Sequence, residues 1–186
     1  FVINQLSGGG CEHMGNFPTF PVKGKLKMSP DNILNYRINI SEEKGHAGYY
    51  EAKVQEDIHA KLTVTERTGM ASYEYPADQQ YGTVIIGGGI SATPIDQAAI
   101  VITAPNKCEG YAEGGNFCGL RTPYKVYFVA EFDTDALESG TWKRDELKPN
   151  TTFAEGEYSG VYFTFDVNKK KNIQYKIGVS YVSVEN

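Results

Sequence analysis

The sequence predicts an all-β fold, in the form of a large antiparallel β-sandwich (a supersandwich) of about a dozen strands with little helix. One observation is a series of short segments in which apolar and polar residues alternate. Another is the composition, since 13 Tyr, 9 Phe and 20 Gly beside 1 Trp are typical of many short strands joined by glycine-containing turns. A third is that only residues 95–99 and 135–138 are compatible with helix, and neither segment completes two turns.

Alternation predicts the strands in order along the chain. In residues 19–28, Phe20, Val22 and Leu26 fall on one face, and the lysines between them fall on the other. The same pattern predicts strands over residues 48–54, 58–66, 70–76, 82–86, 98–103, 125–132, 159–167 and 173–183. Short breaks after residues 54 and 66 predict a meander, the apolar run 125–132 predicts a central strand, and the polar turn 168–172 predicts a hairpin. No repeat of fixed period is present, which argues against a propeller or solenoid, and the length of 186 residues predicts one sandwich domain over residues 1–186.

Charge and hydropathy exclude two classes of protein. The 18 Lys and Arg against 23 Asp and Glu give a net charge of −5, which argues against a nucleic-acid partner. No run approaches the roughly 20 apolar residues that cross a bilayer, so we expect no membrane span. Because the chain opens on an apolar pattern and stops directly after its last predicted strand, we expect both ends to be truncated.

The three cysteines allow one internal disulfide at most. Cys108 and Cys118 flank a glycine-rich segment, residues 109–117, that is short enough to turn back on itself. This spacing makes them the candidate disulfide pair, and two separate thiols are the alternative. The metal-binding spacings of cysteine and histidine are missing, so we expect no metal site in this chain.

Residues 7–16 are the segment most suited to ligand binding, because Gly8, Gly9 and Gly10 precede the polar or reactive side chains of Cys11, Glu12 and His13. A glycine run lets the backbone approach a ligand closely, although a plain flexible turn is the alternative. The other histidines, His46 and His59, are interpreted as surface residues, and Gly87–Gly89 lacks the features of a phosphate loop. A glycosidase needs two carboxylates across the sugar, and the sequence selects no such pair.

The start of the chain resembles glycoside hydrolase family 92, the bacterial exo-α-mannosidases. Its pattern, Phe1-x4-Leu6-Ser7-Gly8-x-Gly10-Cys11, is similar to the family stretch Phe-Ser-His-Thr-His-Leu-Ser-Gly-x-Gly-Cys. Further segments resemble family segments in the same order, namely residues 30–31, 48–50, 61–69, 126–132 and 176–185. Each segment is weakly specific alone, but the ordered set covers nearly the whole chain.

The resemblance implies an N-terminal β-sandwich domain that works with a C-terminal (α/α)₆ barrel, which this chain does not include. It implies a calcium-dependent enzyme that removes terminal α-mannose from glycans with inversion, with α-1,2 linkages as the family's expected substrates. The catalytic carboxylates and most calcium ligands are expected in the barrel, so no residue here is assigned as catalytic and the isolated chain is expected to be inactive. The partners are then a mannose-containing glycan and the C-terminal domain, in an exported bacterial enzyme of the periplasm, cell surface or medium.

The candidate substrate-binding residues lie at the start of the chain. They are Gln5, Ser7, Cys11, Glu12, His13 and Asn16. Ile3 and Gln5 stand where the family usually has two histidines, which leaves the linkage open, although the amide of Gln5 can still donate to and accept from a sugar hydroxyl.

Two other functions stay open at this point. One is a non-catalytic carbohydrate-binding β-sandwich, which would stack sugars on exposed tyrosines, although Trp142 in a polar loop counts against it. The other is a structural or adhesive surface domain, in which residues 7–16 have no role in function.

Overall fold

The computed structural model describes residues 1–4, 15–31, 33, 39–91, 93–117 and 120–186. Within these residues the chain forms sixteen strands, which confirms the all-β prediction. The strands are β1 (Ile3–Asn4), β2 (Gly15–Asn16), β3 (Thr19–Lys23), β4 (Ile40–His46), β5 (Tyr49–Val54), β6 (Ile58–Val64), β7 (Thr68–Glu74), β8 (Tyr81–Gly87), β9 (Ile95–Ala104), β10 (Lys107–Phe117), β11 (Leu120–Phe132), β12 (Glu138–Lys143), β13 (Glu146–Pro149), β14 (Phe153–Glu155), β15 (Ser159–Asp166) and β16 (Asn172–Ser180). The described part of the chain has no helix long and apolar enough to span a membrane.

Nine strands form the larger sheet, in the order β14-β9-β10-β11-β16-β7-β6-β5-β4. Strands β5 to β7 form the predicted meander of antiparallel neighbours, and β4, which the sequence did not predict, pairs with β5. On the other side, β14, β9, β10 and β11 form a second antiparallel group. Strand β16 lies between β11 and β7 and joins the two groups.

The smaller sheet has five strands in the order β13-β12-β15-β8-β3, and it packs against the larger sheet. Phe132 of the larger sheet contacts Phe163 and Phe165 of β15, with ring centroids 4.9 and 5.1 Å apart. These rings belong to one core that both sheets share, which confirms the predicted sandwich.

A second, smaller core covers the opposite face of the small sheet. Along β15, Val161 and Phe163 face the main core, whereas Tyr162 between them joins the second core with Trp142. A covering loop, residues 24–31 with Ile33, closes this face, and Trp142 Nε1 donates a hydrogen bond to the Asp31 carbonyl at 3.1 Å. The prediction of Trp142 in a polar loop is therefore wrong, because the indole is fully buried in β12.

Several strand predictions need correction. The strand predicted over residues 19–28 ends at Lys23, since Gly24 turns the chain with φ at +73°. The helical candidate at residues 95–99 begins β9, and residues 135–138 form no helix. The predicted hairpin across residues 168–172 is also wrong, because β15 lies in the small sheet and β16 in the large one.

The basis of the predicted disulfide is wrong as well. Residues 107–117 form one strand, paired on both sides with β9 and β11, instead of a turn. An extended strand advances about 3.3 Å per residue, so Cys108 and the far end of β10 are well separated. Cys108 is a free thiol in the main core, where burial raises its pKa, and Cys118 lies outside the described residues.

Candidate functional site

We call residues 5–16, which contain the six candidate substrate-binding residues, the candidate segment. It follows β1 and ends in β2. Asn4 of β1 pairs with Gly15 of β2, so the two strands that flank most of the segment are neighbours in a two-stranded sheet. Of the six candidate residues, Gln5, Ser7, Cys11, Glu12 and His13 lie outside the described residues. Asn16 is described, and its backbone pairs with Ile3.

The side chain of Asn16 is fully buried. Its Oδ1 accepts a hydrogen bond of 3.0 Å from the hydroxyl of Tyr124, in β11, and its backbone forms a bridge with Ser91. The next residue, Phe17, has φ at 52° and packs its ring against Phe128 at a centroid distance of 4.2 Å. These contacts attach the base of the candidate segment to the sandwich.

We predict that Tyr124→Phe lowers the free energy of unfolding by about 1 kcal/mol, the typical net contribution of one hydrogen bond. The substitution keeps the ring and removes only the hydroxyl that donates to Asn16. Tyr127→Phe is the matched control, since Tyr127 lies in the same strand and its described contacts are made by its ring. Urea unfolding measures both variants, and equal losses would contradict the assigned role of the Tyr124 hydroxyl.

A cleft of about 590 Å³ opens beside β1 at this end of the sandwich. One wall is Val2 and Ile3, directly before the candidate segment. The other walls are the connection between β6 and β7 and the end of β16 with the residues that follow it. The lining from these walls comprises Val64, Thr65, Glu66, Arg67, Thr68, Gly69, Ile177, Val179, Ser180, Tyr181, Val182 and Asn186.

Three of the segments that resemble family 92 meet in this cleft. They are the described start of residues 1–11, represented by Val2 and Ile3, and residues 61–69 and 176–185, which are far apart in the sequence. The pairing of β16 with β7 places Ile177 opposite Gly69. Side-chain atoms of both Ile3 and Ile177 lie 3.4 Å from the point where a β-carbon on Gly69 would stand, so the three segments are in close contact.

The lining of the cleft mixes valine and isoleucine side chains with polar ones from Thr65, Thr68, Ser180 and Asn186. Glu66 and Arg67 are the charged residues among its described lining, and both are exposed. A glycosidase requires two carboxylates, and this lining supplies one. Among the described residues, no group of three His, Cys, Asp or Glu side chains is placed to hold a metal ion.

The remaining sequence candidates lie away from the cleft. His46 is exposed at the end of β4, where it stacks on Tyr49, and His59 lies 3.8 Å from the carboxylate of Glu51. The amides of Gly88 and Gly89 both donate to the Ser159 carbonyl, so they are not available to a phosphate. The glycines there allow two backbone segments to approach closely.

Sequence reasoning missed Tyr124 and the exposed valines of the cleft. No local pattern marks Tyr124, because its partner Asn16 is 108 residues away. Val64 and Val182 lie at the ends of predicted strands, and the apolar alternation of those strands continues into the cleft. The sequence signal that could have identified these valines is that each continues the apolar alternation of its strand to an exposed position.

Comparison with known proteins identifies the family. The family described as "Glycosyl hydrolase family 92 N-terminal domain" matches residues 1–180. No curated protein matches the chain significantly.

Solved structures show the same fold. The family GH92 inverting mannosidase BT2199 from Bacteroides thetaiotaomicron has a TM-score of 0.75 at 22% identity, over 94% of this chain and 22% of that protein. The family GH92 α-mannosidase BT3965 from the same organism has a TM-score of 0.77 at 21% identity, over 92% of this chain and 25% of that protein. Its structure is also solved in complex with mannoimidazole.

The gh92 family glycosyl hydrolase ccman5 has a TM-score of 0.79 at 22% identity, over 99% of this chain and 26% of that protein. The chain therefore spans about a quarter of the length of these structures. Since the family match covers nearly all of its residues, the chain belongs to the glycosyl hydrolase family 92 N-terminal domains.

Proposed function

We propose that this chain is the N-terminal domain of an exo-acting α-mannosidase that removes terminal α-mannose with inversion. The observation that carries the proposal is the family match over residues 1–180. The names of two similar structures, an inverting mannosidase and an α-mannosidase solved with mannoimidazole, support the reaction and its sugar. The coverage of about a quarter of those proteins supports a further catalytic domain in the same polypeptide.

The proposal divides the work between two domains. An inverting glycosidase uses an acid and a base about 6.5 to 9.5 Å apart, with a water between the base and the sugar. The described lining of the cleft has a single carboxylate, Glu66, which supports placing acid and base in the C-terminal domain. This domain would then position the glycan through the candidate segment, which contains Gln5, Glu12 and His13. The segment follows β1, whose Ile3 lines the cleft.

Calcium and export belong to the same proposal. The resemblance to the family supports a calcium-dependent enzyme whose calcium ligands lie mainly in the C-terminal domain. An exported enzyme would act on mannose-containing glycans outside the cytoplasm, and cell fractionation with the activity assay tests that location.

The test is mannose release by the full-length gene product from a panel of α-mannosides, including α-1,2-linked ones, with and without a calcium chelator. We expect β-mannose as the first product by NMR, because inversion of an α-linkage gives the β-anomer. We expect the chelator to abolish release and the isolated chain to release none. Release of α-mannose would contradict inversion, and no release from any α-mannoside would overturn the activity.

Variants of the candidate segment test its positioning role. Gln5→Ala and His13→Ala in the full-length enzyme are expected to lower kcat/KM for mannosides. His46→Ala is the control, because His46 is exposed on β4, outside the lining of the cleft. Equal values for all three variants would contradict the role of the segment.

A non-catalytic glycan-binding module is the second candidate. Tyr111 and Tyr127, on neighbouring strands β10 and β11, form a half-buried ring pair with centroids 6.1 Å apart. Lys125 Nζ lies 3.8 Å from the Tyr111 ring centroid, where it competes with a stacked sugar. Mannoside binding by the isolated chain, together with an inactive full-length product, would favour this second function.

A further inference from the structure

We propose that the buried hydroxyl of Thr19 is a positioning group for glycan binding, because it holds the strand that leads into the candidate segment. The hydroxyl is buried, so it acts on the glycan only through the residues that it holds. It joins Tyr73 and Tyr175 inside the sandwich, and the backbone of Thr19 holds residues 1–4 in place. The inference rests on the proposed function and names a residue outside the candidate segment on which that function depends.

The hydroxyl of Thr19 joins the two sheets. Thr19 begins β3 of the small sheet, and 3% of its surface is exposed. Its Oγ1 lies 2.5 Å from the hydroxyl oxygen of Tyr175, in β16, and 3.3 Å from that of Tyr73, in β7. Burial raises the pKa of both tyrosines, so their hydroxyls stay neutral. A threonine hydroxyl can donate one hydrogen bond and accept two, so this single group serves both tyrosines.

The backbone of Thr19 extends the same link to residues 1–4. Its amide donates to the Phe1 carbonyl at 2.8 Å, and the Phe1 nitrogen donates to the Thr19 carbonyl at 3.1 Å. The ring of Phe1 stacks on the ring of Tyr73, with centroids 6.3 Å apart and planes 18° apart. Thr19 and Tyr73 therefore hold the backbone and the ring of Phe1, and the Thr19 hydroxyl connects these two supports.

Residues 1–4 depend on this support, because their own pairing is short. Strand β1 has two residues, and in the described part of the chain its sheet contains only β1 and β2. A two-stranded sheet is marginally stable by itself. The position of β1 is therefore set by Phe1 and Ile3, which pack against the main core. Asn4 stands directly before the candidate segment, so a shift of β1 moves the point from which the segment starts.

Tyr75 provides the comparison with a hydroxyl whose role is structural only. Its side chain is buried in the same core, and its hydroxyl donates to the Thr83 carbonyl of β8 at 3.0 Å. This hydrogen bond does not involve residues 1–4. We expect loss of the Tyr75 hydroxyl to lower stability much as loss of the Thr19 hydroxyl does, since each removes a buried hydrogen-bonding group. The two sites therefore separate positioning from stability.

The test is the kinetics of the full-length enzyme on an α-mannoside. Thr19→Val removes the hydroxyl and keeps the shape of the side chain, Thr19→Ser keeps the hydroxyl, and Tyr75→Phe is the matched control. We expect Thr19→Val to raise KM at least about fivefold with kcat within about twofold, because it weakens contacts made equally in the ground state and the transition state. We expect Thr19→Ser and Tyr75→Phe to keep KM within about twofold of the wild-type value. A variant that only unfolds more easily has fewer active molecules, which lowers the apparent kcat and leaves KM unchanged.

Amide hydrogen exchange, measured by mass spectrometry on the same proteins, supplies a readout that does not depend on activity. We expect peptides that cover residues 1–4 to exchange at least about tenfold faster in Thr19→Val than in the wild type, Thr19→Ser or Tyr75→Phe. Equal exchange in Thr19→Val and Tyr75→Phe would overturn the role of Thr19. An unchanged KM, or a failure of Thr19→Ser to restore KM, would overturn it as well.

Two further provisions keep the outcome decisive. If Thr19→Val does not fold, Tyr175→Phe takes its place, since it removes the partner in the shorter of the two contacts. An inactive wild-type enzyme would reject the proposed mannosidase activity, whereas the exchange rates would still decide whether Thr19 holds residues 1–4. The two proposals therefore fail separately.

Discussion

Gly89→Ala is expected to lower the free energy of unfolding by about 3 kcal/mol or more, at the upper end of the cost of overpacking. A β-carbon at this position would stand 1.8 Å from the carbonyl oxygen of Gly156. Two hydrogen bonds hold the backbone of Gly89 against the residues that follow Gly156, so the two backbone segments cannot separate easily. The Tyr158 amide donates to the Gly89 carbonyl at 2.9 Å, and the Gly89 amide donates to the Ser159 carbonyl at 3.1 Å. The clash therefore breaks the contact between two loops.

The control for Gly89→Ala is Gly178→Ala in β16. The nearest atom to a β-carbon at Gly178 is Thr68 Oγ1, at 4.0 Å, so we expect a change within about 0.5 kcal/mol. Urea unfolding followed by circular dichroism compares the two variants. A loss for Gly89→Ala no larger than for Gly178→Ala would show that the loops adjust to the added methyl group.

Trp142→Ala is expected to cost about 3 to 5 kcal/mol, the range for truncation of a buried Trp or Phe to Ala. The indole is fully buried, and it lies so close to Gly160 that a β-carbon there would be 2.3 Å from Cη2. Truncation also removes the donor to the Asp31 carbonyl in the covering loop. We therefore expect the loop to detach from the small sheet along with the loss of stability.

Two controls separate the contributions of Trp142. Trp142→Phe keeps an aromatic ring and removes the N–H donor, so its loss should be clearly smaller than that of Trp142→Ala. Leu137→Ala, at a residue that is 56% exposed, should change stability little. Thermal unfolding measures all three variants, and a similar result for Trp142→Ala and Leu137→Ala would contradict a packed second core.

The sequence predicted strands well where one face meets the core. In β6, Ile58 and Ala60 are buried while His59 between them is half exposed, so the alternation is visible. Sequence-based prediction missed β10, because the glycines within residues 109–117 suggested a turn. A β-carbon on Gly110 would stand 2.2 Å from the Ala99 carbonyl, which shows that this glycine permits close strand packing.

Local sequence patterns could not predict strands that are buried on both faces, or the pairing of strands that are distant in the sequence. In β12, Gly140, Thr141 and Trp142 are all buried, so no alternation reveals the strand. The polar turn after β15 has the composition of a hairpin, but its composition does not reveal that the chain changes sheets there.

The candidate site was predictable in its parts but not in its assembly. The resemblance to family 92 selected residues 1–11, 61–69 and 176–185 as separate segments. The meeting of their described parts in one cleft depends on β16 pairing with β7, a contact between residues about a hundred positions apart. Because periodicity and spacing describe only local structure, they do not report such a contact.

The position of β16 also has a consequence for how the protein is made. It is the last of the sixteen described strands in chain order, yet it joins the two halves of the large sheet. During synthesis on the ribosome, β7 and β11 therefore wait with one edge unpaired until residues 172–180 have emerged. Unpaired strand edges are templates for aggregation, so we expect the nascent chain to be prone to aggregation until β16 inserts between β7 and β11.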